Sequence, residues 1–230
     1  MRGGSFLISS EKRGNPNPKT LNLKALIHPT SFPNIATMAM LVQQDVIWEV
    51  HDNFQKQTYR NRYHVCTDQG LHKLTIPITH VGGENGRQKY RDVQIENSYR
   101  WQLQHWRTLQ TAYRTSPFFE FYEDELAPLF EKQFKFLLDF NWESIEFLMG
   151  TLQIEPCSER NAKYQREFQN GKDCRYLVNS KREPLFSFQR YNQVFGDRHG
   201  FISNTSTLDV LFNEGPNTIA YLKNQSLSHA

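Results

Sequence analysis

The stretch LKALIHPTSFPNIATMAMLVQQDVIWEV, residues 23–50, decides the fold class. Leu23, Ala25, Leu26 and Ile27 form a short apolar run of the kind that fills a buried strand. Pro29 and Pro33 cannot continue a strand ladder, and Asn34 is a good helix N-cap. Ile35, Met38, Ala39 and Val42 then recur at helical spacing and predict a helix over 35–43. Val46-Ile47-Trp48-Glu49-Val50 is rich in strand-forming residues. Strand, helix and strand this close together predict a βαβ unit with a parallel strand pair.

Outward from this unit the pattern changes. Arg62–Thr67 and Leu71–Ile78 read as two strands joined by Asp68-Gln69-Gly70, a short glycine-containing turn. Val81–Gly86 reads as a glycine-rich loop, and Val93 and Ile95 mark a further short strand. From Ser98 the chain looks helical: Trp101, His105, Thr108 and Ala112 share one face until Ser116-Pro117 ends the helix. Leu126–Leu138 and Trp142–Leu152 are two more amphipathic segments, with Asn141 as the expected cap between them. Residues 157–182 are polar and read as a mobile excursion. Ser206-x-x-Asp209 has the form of a capping box opening a helix over 207–213, which Gly215-Pro216 stops. The expected fold is α/β: an opening Rossmann-like βαβ unit, a mixed and partly antiparallel sheet, and a helical second half. It forms a single domain over 21–230, after an extension over 1–20 that reads as disordered from its Gly, Pro, Asn and Lys content.

With 38% hydrophobic residues in 230, the chain can bury a substantial core. Its net charge of +3 is too small to argue for nucleic acid. No uncharged apolar run approaches the roughly 20 residues needed to span a bilayer, and Phe6-Leu7-Ile8 is too short for a secretory segment. Cys66, Cys157 and Cys174 lack metal-ligand spacing, and any disulfide would leave one unpaired, so reduced thiols in a cytoplasmic protein are the simpler account.

Four segments in this order resemble the WbqC-like family: His28-Pro29-Thr30-Ser31-Phe32-Pro33-Asn34; Phe54-Gln55-Lys56 with Tyr59-Arg60-Asn61-Arg62 and Leu74–Ile78; His105-Trp106 with Thr111-Ala112-Tyr113 and Ser116–Phe119; and Gly200–Asp209. Members often read His-Gln-Pro where this chain runs directly from His28 to Pro29. The resemblance implies a bacterial, cytoplasmic protein associated with O-antigen or other surface-polysaccharide production.

Several residues are candidates for chemistry, each beside a plainer role. His28 and Asn34 would sit at the carboxyl end of the first strand and before a helix N-terminus, where α/β folds bind ligands and anions; the alternative is a hydrogen-bonded turn. Gln55, Tyr59, Arg60, Asn61 and Arg62 form the densest polar cluster; Arg60 and Arg62, two positions apart on a strand, would share a face suited to phosphate or carboxylate, or else the cluster is a solvated sheet edge. His105 could be a general base or a core histidine among Trp101, Trp106 and Tyr113. Tyr113 and Ser116 could line a pocket. Asp45, Glu49, His51 and Asp52 hint at a divalent ion near Glu49 and His51, without a closed ligand set. Asn204, Ser206 and Asp209 fit helix capping.

These features point to an enzyme of envelope-glycan biosynthesis, a transferase that modifies an activated sugar with an acyl or aminoacyl group. His28 or His105 would be its base, and Asn34, Gln55, Tyr59, Arg60, Asn61, Arg62, Tyr113 and Ser116 its substrate contacts. Its partners would be a small-molecule activated sugar or acyl donor, with no cofactor, since Gly-x-Gly-x-x-Gly and Walker patterns are absent. The alternatives are a nucleotidyltransferase-like activating enzyme and a non-catalytic binding protein for polysaccharide assembly.

Overall fold

A computed structural model describes residues 23–79, 88–155 and 157–227. The predicted extension over 1–20 and the glycine-rich loop Val81–Gly86 lie outside the described residues.

The opening unit forms as its pattern predicts. β1 (Lys24–Ile27), α1 (Ile35–Gln43) and β2 (Val46–Trp48) make a βαβ unit, with Ala25 opposite Val46 in parallel register. Every residue of α1 from Ile35 to Leu41 is buried. The 157–182 segment departs from its reading. It carries β5 (Gly171–Asp173), which pairs parallel with the other side of β1, so the sheet order is β2-β1-β5. Glycine is required at the head of β5, because a Cβ on Gly171 would lie 2.0 Å from the Lys24 carbonyl oxygen. The chain leaves β1 toward β2 on one side and returns to β5 on the other, which makes the β1–β5 border a switch point.

β3 (Arg62–Thr67) and β4 (Gly70–Thr75) form the predicted antiparallel hairpin, turning at a Gly70 with φ of +92°. Val93 and Ile95 do not make a strand. A single 3₁₀ turn over 90–92 precedes two isolated bridges, Gln94 to Phe136 and Ile78 to Ile95. The second half is helical: α2 (Trp101–Tyr113), α3 (Phe119–Leu126), α4 (Pro128–Glu131), α5 (Leu137–Thr151), the short α6 (Gly196–His199), α7 (Thr207–Glu214) and α8 (Thr218–Lys223).

The segment read as one helix over 126–138 is broken. Pro128 starts α4 as a fresh turn, and Lys132 leaves it in extended geometry. α5 then begins at Leu137, so Asn141 lies inside a helix rather than capping one. The Ser206 half of the capping box is present, with its hydroxyl accepting from the Leu208 N–H at 3.3 Å. The Asp209 half is not, because its carboxylate is buried and accepts instead from the Tyr113 and Tyr191 hydroxyls, each at 2.6 Å. The core runs continuously from α1 and the parallel sheet through Trp101, Tyr113 and Phe140 to α7.

Candidate functional site

The carboxyl ends of the three parallel strands open onto one polar cluster. His28 follows β1, Glu49 to Asp52 follow β2, and Arg175 follows β5. His28 is buried, and its Nε2 lies 3.1 Å from Asp52 Oδ2. The same carboxylate oxygen accepts from Arg60 Nη2 at 2.9 Å. Arg60 has no exposed surface, and its guanidinium lies over the Tyr90 ring, 5.2 Å from the centroid. Asp52 is the member that reaches the surface, with 12% of its side chain exposed.

Electrostatics follow from that arrangement. Burial, aided by the Arg60 charge, pushes the His28 imidazole down to about 4, so the ring is neutral near pH 7. Burial alone would raise Asp52; the His28 hydrogen bond and the Arg60 charge outweigh it and hold the carboxyl below its ordinary range. A neutral imidazole that donates from Nε2 carries its lone pair on Nδ1. That Nδ1 is buried and has no hydrogen-bond partner among the described residues, and neither have Arg60 Nε and Nη1. One ring lone pair and two guanidinium donor nitrogens are thus left unbonded in this cluster.

Arg60 is held by its backbone. Asn141 of α5, fully buried, donates to the Arg60 carbonyl at 2.7 Å and also bonds the Tyr90 hydroxyl. Ser31 donates to the same carbonyl at 2.9 Å and lies 2.6 Å from Asn141 Oδ1. The Tyr90 hydroxyl donates to the Pro29 carbonyl at 2.8 Å, which ties the segment after β1 to the same knot. On the β5 side Arg175 grips Asp173 in a forked pair, Nε to Oδ1 at 2.9 Å and Nη2 to Oδ2 at 2.6 Å. Glu49 accepts from the His51 N–H and from Asn161 Nδ2, with Arg175 Nη1 at 3.7 Å.

The structure separates the remaining predicted residues. Asn34 caps α1, accepting from the Thr37 N–H at 3.0 Å; Ile35 N–H donates to the Thr205 carbonyl, and Ala36 N–H to Asn204 Oδ1. The chain itself therefore occupies the helix N–H groups that an anion would use. Gln55 is exposed, with its carbonyl taken by Thr58. Tyr59 bonds His64 at 3.2 Å. Asn61 donates to the Ile76 carbonyl at 3.0 Å. Arg60 precedes β3 and turns to Asp52, whereas Arg62 is on the strand beside His64, so the two arginines do not share a face. His105 is in another cluster, between the Tyr63 hydroxyl at 3.1 Å and the Trp101 ring. Tyr113 bonds Asp209, and Ser116 closes the end of α2 on the Tyr113 carbonyl at 2.7 Å. Among the described residues no three His, Cys, Asp or Glu side chains converge as a metal set, and the Glu49 carboxylate is already occupied by N–H groups.

Sequence reasoning found His28 and Arg60 but not the roles of Asp52, Tyr90, Asn141 or Arg175. Asp52 had a usable signal, since it closely follows the second parallel strand, where strand-end residues meet. No helix of the described residues is long and apolar enough to cross a membrane.

No solved structure matches the chain. A Mycobacterium tuberculosis protein, "Uncharacterized protein Rv1507c", is 27% identical, over 76% of this chain and 86% of its own length. The model of the WbqC-like protein family matches residues 28–183, a span that opens at His28 and contains Asp52, Arg60, Tyr90, Asn141 and Arg175. That span exceeds half the sequence, and the chain belongs to the WbqC-like family.

Proposed function

We propose that the chain is a transferase of bacterial envelope-glycan biosynthesis, acting in the cytoplasm, that places an acyl or aminoacyl group on an activated sugar at the His28–Asp52–Arg60 cluster. The observation that carries this reading is the pairing of a free imidazole lone pair with a buried guanidinium that has two unbonded donors. In such a reaction His28 Nδ1 takes the proton from the sugar's hydroxyl or amine as that atom bonds to the acyl carbonyl carbon. The Arg60 N–H groups face the negative charge that develops on the carbonyl oxygen. When the carbonyl re-forms, the donor's leaving group departs with the proton from His28. Asp52 holds the ring by Nε2 and stabilises the transient imidazolium. Burial is the main cause that depresses His28, and an anionic substrate near Arg60 would offset the second, the Arg60 charge, making the ring a stronger base once the substrate is bound. The nucleotidyltransferase-like alternative draws less support, because the N–H groups that open α1 are already bonded.

Thermal-shift measurement against nucleotide sugars and acyl donors tests the reading. A ligand at a hundredfold excess over its dissociation constant stabilises by about 2.7 kcal/mol. The expected hit is lost in His28→Gln and Arg60→Met. A ligand that stabilises both variants as much as the parent protein removes this cluster as the site. Silence across the library favours a non-catalytic binding protein.

A further inference from the structure

A large hollow lies away from this cluster. It has a volume of about 980 Å³, between the outer face of α2, the tip of the β3–β4 hairpin and the turn carrying α6. Its floor and mouth include Tyr99, Trp101, Leu103 and Phe195, and Tyr99 and Leu103 are 66% and 40% exposed. Arginines stand around this apolar surface: Arg100 and Arg107 on one wall and Arg198 on the other. None of the three forms an ion pair among the described residues, and Asp68 is the sole carboxylate along the lining. The far wall is tied in place by His199, whose Nε2 lies 2.6 Å from the Asp68 carbonyl oxygen.

An apolar hollow at the upper end of the usual ligand-site size, rimmed by guanidinium groups that no described carboxylate pairs, with Arg198 lying 5.8 Å over the Phe195 ring, combines two kinds of recognition. The apolar lining favours removing a hydrocarbon chain from water, and the arginines favour an anionic head. We propose that this hollow is a second binding site, for a small amphipathic anion: a hydrocarbon chain ending in a phosphate or carboxylate. The proposal stands apart from the chemistry assigned to His28.

Titration with dodecyl phosphate and, separately, dodecanoate, both kept below micelle formation, tests it by Trp101 fluorescence and by calorimetry. Saturable binding at one site per chain is expected, and the tighter of the two ligands identifies the head group. Arg100→Gln/Arg107→Gln and Leu103→Asp alter exposed side chains, so both variants should keep the parent's unfolding midpoint. Each is expected to weaken binding by about tenfold or more. Trp101→Phe removes the optical signal without removing the calorimetric one. Four results would overturn the proposal: equal binding of dodecyltrimethylammonium, equal binding of inorganic phosphate alone, unchanged affinity in both variants, or attachment to phosphatidylglycerol vesicles without saturable uptake of the monomeric anions.

Discussion

Asp52 and Arg60 share one ion pair but not one environment, and the pair should therefore respond asymmetrically to mutation. Arg60 has no contact with solvent, whereas Asp52 keeps 12% of its side chain exposed. Across 2.9 Å at an effective dielectric near 20, the attraction is on the order of 6 kcal/mol. Desolvation of the guanidinium consumes much of it. Asp52→Ala removes the attraction and leaves a buried positive charge with no hydrogen-bonded carboxylate and only the more distant Glu49 to offset it, which should cost about 3–5 kcal/mol. Arg60→Met removes the charge, keeps a similar volume against the Tyr90 ring, and leaves a carboxylate that reaches water; its cost should stay below about 1.5 kcal/mol. The double variant should resemble Arg60→Met alone. Urea unfolding reads these differences as midpoint shifts at constant slope, and thermal unfolding as roughly 6–20 °C for Asp52→Ala. Equal costs for the two single changes, or simple additivity in the double variant, would refute the reasoning.

Acid should destabilise the protein through the buried His28 and His105 and the half-buried His64. Burial is the first cause that lowers His28, His64 and His105 to about 4 from the ordinary 6.5, so between those values the unfolded chain binds more protons and stability falls as pH falls. Three such groups give a slope of up to about 4 kcal/mol per pH unit; a flat unfolding midpoint from pH 6.5 to 4 would contradict the burial of these rings. Gly171→Ala should detach β5 from β1, because the new Cβ meets the Lys24 carbonyl. Amide exchange should then rise at Cys174, whose N–H bonds the Leu26 carbonyl, while the β3–β4 hairpin keeps its protection; unchanged exchange at Cys174 would count against this registration.

The opening unit was legible because each element carries its own local signal. Asn34 caps and the 35–43 pattern is helical; the β3–β4 hairpin was legible too, because Gly70 supplies its turn. β5 was not legible: Gly171-Lys172-Asp173 has neither apolar periodicity nor β-branched residues, and it is held as a strand by backbone bonding to β1. Without β5, nothing in the pattern brings Arg175 to His28 and Asp52. Asn141 reads as a cap by residue type, yet the space around the Arg60 carbonyl gives its amide a buried role that only tertiary packing creates. Arg60 and Arg62 look like a strand-face pair by spacing, but the strand begins at Arg62, and the turn before it rotates Arg60 inward.

The seal on α1 has a consequence for how the chain reaches its native state. Asn34 caps this first helix locally, but the groups that take its first two N–H donors are Thr205 and Asn204, and Asn204 lies 168 residues downstream of the Ala36 N–H it bonds. During synthesis the helix can form early, but its exposed end stays wet until the ribosome has released the chain well past that point. A closure over so long a loop is slow in forming and late in order, so a nascent chain stalled before Asn204 would be open at α1 and a natural target for chaperones and proteases.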